Sequence, residues 1–246
     1  MKKSVIIAII VVIAACVVLF SLFGHCNKGP QVSEHRVDTI MTDNLVILIP
    51  RYDSIDFLGT NIIPEADSPH DNIIYVSAAS FTLKYLDTFS HSNIIGTHVC
   101  SGKLHKLSGS QLLSGAFVYY NGQYKFLDKD YMSEMERAAQ CGGCGFTQQL
   151  ILYKGAKVKT RTKDNMNVQF RALCNLHDTT LCIVQTRGSM PFDQFKQSLL
   201  NAGITDALYL DMGAWDYGWY RDSIGTPHHI GTSRHGNYTN WLVFYK

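Results

Sequence analysis

The apolar positions of this chain come in short runs bounded by polar and turn-forming residues, not in long stripes of helical period. Such runs occupy residues 44–50, 72–78, 93–99, 115–127, 149–155, 167–174, 180–186, 206–210 and 240–245. Their brevity and their Val, Ile, Tyr and Phe content predict strands. Within 115–127, Asn121-Gly122 sits between two apolar halves and predicts a tight hairpin. Two stretches read as helices. Residues 128–140 carry acids in the first turn and good helix formers after it. Residues 191–203 open on Pro191 and stop on Gly203, with Phe192, Phe195, Leu199 and Leu200 on one face. The order predicts an α+β class: a strand-rich mixed or antiparallel sheet with two or three helices, without regular βαβ alternation. Residues 180–211 form the clearest local unit. They read as strand, loop, helix and strand, a crossover that delivers Asp211 to a strand's C-terminal end.

The N-terminus has a different pattern. Lys2 and Lys3 precede an apolar stretch from Val5 to Phe23, broken only by Ser21. As a helix it is about 28 Å long, close to the hydrocarbon thickness of a bilayer. The expectation is a transmembrane helix within residues 1–24, which anchors the chain in the membrane and exports the rest to the periplasm or cell surface. No A-x-A site follows it, and His25 spoils a lipoprotein box at Cys26. Residues 25–43 are polar and contain Gly29-Pro30, a linker composition, which leaves 44–246 as the folded domain.

Charge narrows the function classes. The formal net charge is +2 and no Lys/Arg stripe is present, so nucleic acid is not an expected partner. Seven cysteines are distributed between the N-terminal segment (Cys16, Cys26) and the domain, an odd number that allows no complete internal pairing. "CGGC" (141–144) follows a helix instead of opening one, the wrong context for a redox pair, and reads as a local disulfide or free thiols in a Gly-rich turn. No second C-x-x-C supplies further zinc ligands, so no metal and no cofactor is called for.

The segment "FRALCNLHDTTLCIVQTRGSMPFDQFKQSLLNAGITDALYLDMGAW" (170–215) resembles the C-terminal signature of the phosphodiester glycosidase family. The shared order is an arginine strand, a second strand, a helix ending in glycine, then an Ala-Leu-x-Leu-Asp strand end. Weaker similarity covers "IIYVSAASF" (73–81), "IIGTHVCSGKLHKL" (94–107), "QLILYKGAKV" (149–158) and "NYTNWLVF" (237–244). The family asparagine in the first of these falls on Ala78 and its glycine on Ser80. The glycine after the family aspartate is Met212, and a small pair becomes Ala214-Trp215. The resemblance implies hydrolysis of a sugar-1-phosphodiester in a glycan or envelope polymer, so the implied partner is a carbohydrate or sugar-phosphate substrate. It also leaves open a catalytically silent homologue that binds glycan through its aromatic residues.

Candidate residues follow from both lines. Asp211 is an acid at a strand end, suited to orient a hydroxyl or move a proton, or else to close a turn. Arg171 offers a forked guanidinium suited to phosphate, or else to an internal ion pair. Arg187 and Ser189 lie in the loop before the 191–203 helix, where backbone amides suit an anion. His228 and His229 belong to a His-rich stretch that leads to the last strand and suit acid–base work. Trp215 and Tyr217 are aromatic surfaces suited to sugar faces, and Ser80 holds the family glycine position.

Overall fold

The computed structural model describes residues 37–66, 72–83, 88–107, 113–212, 216–231 and 238–246. These residues belong to the compact unit Glu34–Lys246. In chain order it begins with β1 (Val37–Met41), β2 (Leu45–Pro50), β3 (Ser54–Gly59) and β4 (Ile73–Ser77). After a 3-10 turn at His91–Asn93 come β5 (His98–Cys100), β6 (Lys103–His105), β7 (Gly115–Tyr120) and β8 (Gln123–Leu127). Helix α1 (Met132–Gln140) precedes β9 (Cys144–Gln148), β10 (Leu150–Tyr153), β11 (Ala156–Lys157) and β12 (Asn167–Val168). Then follow β13 (Arg171–Leu176), β14 (Thr180–Thr186), β15 (Met190–Pro191), helix α2 (Phe192–Asn201) and β16 (Ile204–Leu210). The chain closes with β17 (Tyr217–Arg221), β18 (Pro227–Gly231) and β19 (Asn240–Tyr245).

Three larger sheets and one small ladder result. Their strand orders are β1-β2-β14-β13-β16-β10-β11, β18-β17-β4-β19-β3, β6-β5-β9-β7-β8 and β12-β15. The neighbours on both sides of β13 run antiparallel to it, so β14 and β16 are parallel to each other with α2 in the crossover.

Period-two alternation on the seven-stranded sheet builds two cores. Leu173, Ile183, Leu208 and Leu210 face a central core shared with Phe57 and Phe244 of the second sheet and Phe117 and Phe146 of the third. Ala172, Cys174, Cys182, Val184 and Ala207 face the opposite side, where α2 lays Phe192, Phe195 and Leu199. Helix α1 covers the outer face of the third sheet in the same way, burying Met135 and Ala138 against Val99, Ala116 and Val118.

This corrects the fold class read from the sequence. The domain is strand-dominated, about half strand and 12% helix. Among the described residues it has four antiparallel sheets in place of a single mixed or antiparallel one, and α1 and α2 are the only α-helices. The reason lies in burial. Strands such as β4, β7 and β9 are buried along their whole length, so both faces need covering. Two short helices cannot supply that cover, and the sheets cover one another. No helix among the described residues is long and apolar enough to cross a membrane. The stretch Val5–Phe23 lies outside the described residues. Val37–Met41, in the stretch of linker-like composition, pairs with β2 along its full length.

The Asn121-Gly122 hairpin forms between β7 and β8 with both turn residues at positive φ, 52° and 72°. That is the mirror-image turn whose twist matches the flanking strands. Gly122→Ala is expected to cost about 1 kcal/mol through φ alone, since a Cβ there meets nothing within 4 Å. A shift in urea midpoint with unchanged m-value checks this; no shift would contradict it. In "CGGC", Cys141 is exposed and Cys144 buried, both as free thiols. Burial pushes the Cys144 thiol well up, which leaves it unreactive.

Candidate functional site

The register of the seven-stranded sheet gathers three strand ends on one edge. Arg171 opens β13 opposite Gln185 of β14 on one side and Leu210 of β16 on the other. Asp211 therefore leaves the sheet beside Arg171. The Asp211 N–H donates to Ala79 O at 2.9 Å, tying this edge to the end of β4 in the second sheet. Ala78 N–H donates to Tyr217 O at 3.0 Å, and Gln148 Nε2 donates to Ala79 O at 3.1 Å. Ser80 Oγ donates to Thr147 O at 3.3 Å, while its backbone N–H and C=O both pair with the Asn240 side chain, at 2.7 and 3.0 Å. Residues 78–80 are thus the point where the three larger sheets meet.

The charged centre of this junction is buried. Arg171 is 0% and Asp216 1% exposed, and Arg171 Nη1 lies 2.8 Å from Asp216 Oδ1. Arg171 Nε donates to Gln185 Oε1 at 3.0 Å. Asp211 is 6% exposed. The arginine's ion-pair partner is therefore Asp216, just before β17, which sequence reasoning did not single out. A Cβ added at Gly231 would lie 2.7 Å from Asp216 Oδ1, so the end of β18 also closes on this group. Burial pushes the Tyr75 hydroxyl up to about 12, opposed by the Arg171 charge and assisted by Asp216. Burial first, then the Asp211 charge, pushes the Tyr209 hydroxyl upward as well. One buried polar atom here, Arg171 Nη2, has no hydrogen-bond partner among the described residues. Buried polar groups in folded proteins are nearly always satisfied, so this free donor stands out.

The structure brings Asp211, Arg171, Ser80 and Tyr217 to this junction. His229 stands on β18, opposite Trp219, with its ring 5.9 Å from that of Tyr217. His228 belongs to a different group: its Nε2 lies 2.7 Å from Asp222 Oδ2 and its ring stacks on Tyr220. That contact holds the Asp222 carboxyl below its ordinary range. Arg187 and Ser189 line a shallow cavity of about 530 Å³ with Asp43, Asn44 and Asn167, in which neither Arg171 nor Asp211 takes part. Trp215 lies outside the described residues.

A second constellation escaped sequence reasoning entirely. His91, His98 and His105 place one ring nitrogen each within 4.8 Å of the others. The available signal was the even spacing of the three along the chain, which matches no familiar metal-ligand motif.

The fold resembles that of a solved phosphodiester glycosidase catalytic domain. The catalytic domain of zebrafish N-acetylglucosamine-1-phosphodiester alpha-N-acetylglucosaminidase, solved in a form auto-inhibited by its pro-peptide, superposes with a TM-score of 0.55 at 13% identity, over 90% of this chain and 85% of that one. A hypothetical protein from Synechocystis superposes with a TM-score of 0.56 at 10% identity, over 85% of this chain and 61% of that one. No family pattern and no curated protein matches the sequence itself.

Proposed function

We propose that this domain is a hydrolase of sugar-1-phosphodiesters whose site is the Arg171–Asp211–Asp216 junction. The observation that supports it best is the unpartnered Nη2 of Arg171, buried beside the Asp216 carboxylate where the sheets meet, one strand end from Asp211. A guanidinium with one donor spoken for by Asp216 and one free suits a phosphodiester oxygen. Cleaving the bond between the anomeric carbon and the phosphate oxygen expels a phosphomonoester, already a good leaving group. The chief requirements are then stabilisation of positive charge at the sugar ring and delivery of water. Asp211, the more accessible of the two acids, takes the role of orienting or deprotonating that water, while Asp216 fixes the Arg171 fork.

A second reading is favoured by one specific observation, the complete burial of Arg171 and its pairing within the protein. On that reading the domain is a catalytically silent homologue that binds glycan. One assay separates the two. The full chain is incubated with a panel of sugar-1-phosphodiesters, N-acetylglucosamine-1-phosphodiesters among them, and released sugar is measured. Turnover is expected, reduced about 100-fold in kcat/KM by Asp211→Asn with an unchanged melting temperature. Turnover indifferent to Asp211→Asn would refute the site. Absence of turnover, together with saturable glycan binding, would establish the silent homologue.

A further inference from the structure

We propose that His91, His98 and His105 form a three-imidazole site for a divalent transition-metal cation of the zinc class. The inference stands on its own geometry and does not depend on the hydrolase reading. The three histidines come from three pieces of backbone. His98 on β5 is the direct cross-strand partner of His105 on β6, so the hairpin alone sets two rings side by side, 4.9 Å apart. His91 opens the 3-10 turn at residues 91–93, and that turn is fixed by a reciprocal pair of side-chain caps between Ser90 and Asn93. The following Ile94 is bridged to Thr82, which holds the turn against the segment leading out of Ser80.

The nitrogens are close to ligating positions. Around a tetrahedral zinc with bonds of about 2.0–2.1 Å, two nitrogens stand about 3.3 Å apart. His91 Nδ1 and His98 Nε2 are 3.0 Å apart. His98 Nδ1 donates to Gly96 O at 3.2 Å, which leaves the Nε2 lone pair facing His91 Nδ1, whose proton it accepts in the absence of a metal. This is the outer hydrogen bond that commonly fixes the tautomer of a metal-bound histidine. His105 stacks on His91 with ring centroids 3.6 Å apart, so ligation requires its ring to turn out of the stack. The torsion involved is broad and soft.

Two further features fit a ligand set. First, Gly59 leaves room for His91 where no side chain fits: an added Cβ would lie 2.8 Å from His91 Nδ1 and 2.6 Å from Cε1. Gly59 is held in place by its N–H donating to Cys100 Sγ at 3.2 Å. Second, His98 is fully buried while His91 and His105 are half-buried, so the open side of the trio faces solvent. A water or an exogenous ligand completes the coordination there, as in sites built from three protein ligands.

The test uses the full chain, stripped with chelator and titrated with Zn²⁺ by calorimetry and with Co²⁺ by absorption spectroscopy. One equivalent is expected to bind, with intense tetrahedral cobalt bands and a raised melting temperature. His91→Gln and His105→Gln alter half-buried positions and should leave the far-ultraviolet circular dichroism unchanged. Each is expected to weaken binding at least roughly 100-fold, since even outer-shell changes cost 10–100-fold. Asp211→Asn should bind as the unaltered chain does. Absence of saturable binding by both metals would overturn the proposal. Equal binding by the unaltered chain and the His91→Gln/His105→Gln double variant would overturn it too, by placing the metal elsewhere.

Discussion

Arg171→Ala is expected to lower the stability of the domain by about 3–5 kcal/mol, the usual effect of removing one member of a buried ion pair. The effect comes mainly from what is left behind. Asp216 is 1% exposed, and without the guanidinium its carboxylate is held in a low-dielectric interior beside the buried hydroxyl of Tyr75. Gln185 Oε1 loses its donor as well. For a domain of this size the loss corresponds to roughly 10 °C in melting temperature, readable by circular dichroism. The double variant Arg171→Ala/Asp216→Ala should recover part of it, because both charges then leave the interior together. A thermodynamic cycle over the two positions isolates their coupling. A single-variant loss below about 1 kcal/mol would show that the pair behaves as a surface contact and would remove the electrostatic basis of the junction.

The elements with dense local signals were legible in the sequence. Residues 180–186 and 240–245 are strands with the bounds their apolar runs suggest, and the helix anticipated at 191–203 spans Phe192–Asn201 with Gly203 at φ 83° behind it. The crossover from β14 through α2 to β16 carries Asp211 to a strand's C-terminal end, as the order of elements implied, and the register sets Arg171 beside it. Legibility failed where pairing, not local pattern, makes the element. Residues 93–99 read as one strand, yet the run is split between the 3-10 turn and β5, because Ser90 and Asn93 cap each other. β17 and β18 carry Gly218 and two adjacent histidines, which dilute any apolar alternation, and become strands through their neighbours.

The same distinction explains the sites. Asp211 and Arg171 stand in a recognisable order, but the partner Asp216 lies 45 residues from Arg171, and only the packing of two sheets brings them together. The three histidines are likewise joined by a hairpin register and a capped turn, with no familiar metal-ligand spacing to announce them. The number of sheets was hidden for a related reason. A strand buried on both faces records that cover exists without recording whether a helix or another sheet supplies it.

Asn240 shows how much of the junction depends on a residue that carries no chemistry of its own. Its Oδ1 accepts the Ser80 N–H and its Nδ2 donates to the Ser80 carbonyl, so one planar amide satisfies both backbone groups of a fully buried residue. Those backbone groups have fixed polarity, which sets the orientation of the amide and excludes the aspartate isostere. Asn240→Ala is expected to cost about 2–6 kcal/mol, from two buried backbone groups left unpaired at about 1–3 kcal/mol each. Asn240→Asp keeps an acceptor for the N–H but sets a carboxylate against the Ser80 carbonyl at a position only 2% exposed. Burial raises the pKa of such a carboxyl in the folded state above its unfolded value, so the folded state holds the extra proton and stability falls as pH rises. The Asp variant should therefore be less stable at about pH 8 than at about pH 5, where its protonated oxygen can donate to Ser80. Urea titrations at the two pH values read this directly, and an Asp variant equally stable at both would contradict the hydrogen-bond assignment. The consequence reaches further than Ser80. Asn240 is also the cross-strand partner of Gly59, the residue that makes room for His91. Loosening this one amide should therefore disturb both the strand end beside Asp211 and the backbone behind the histidines, and weaken cobalt binding in the same variant that loses stability.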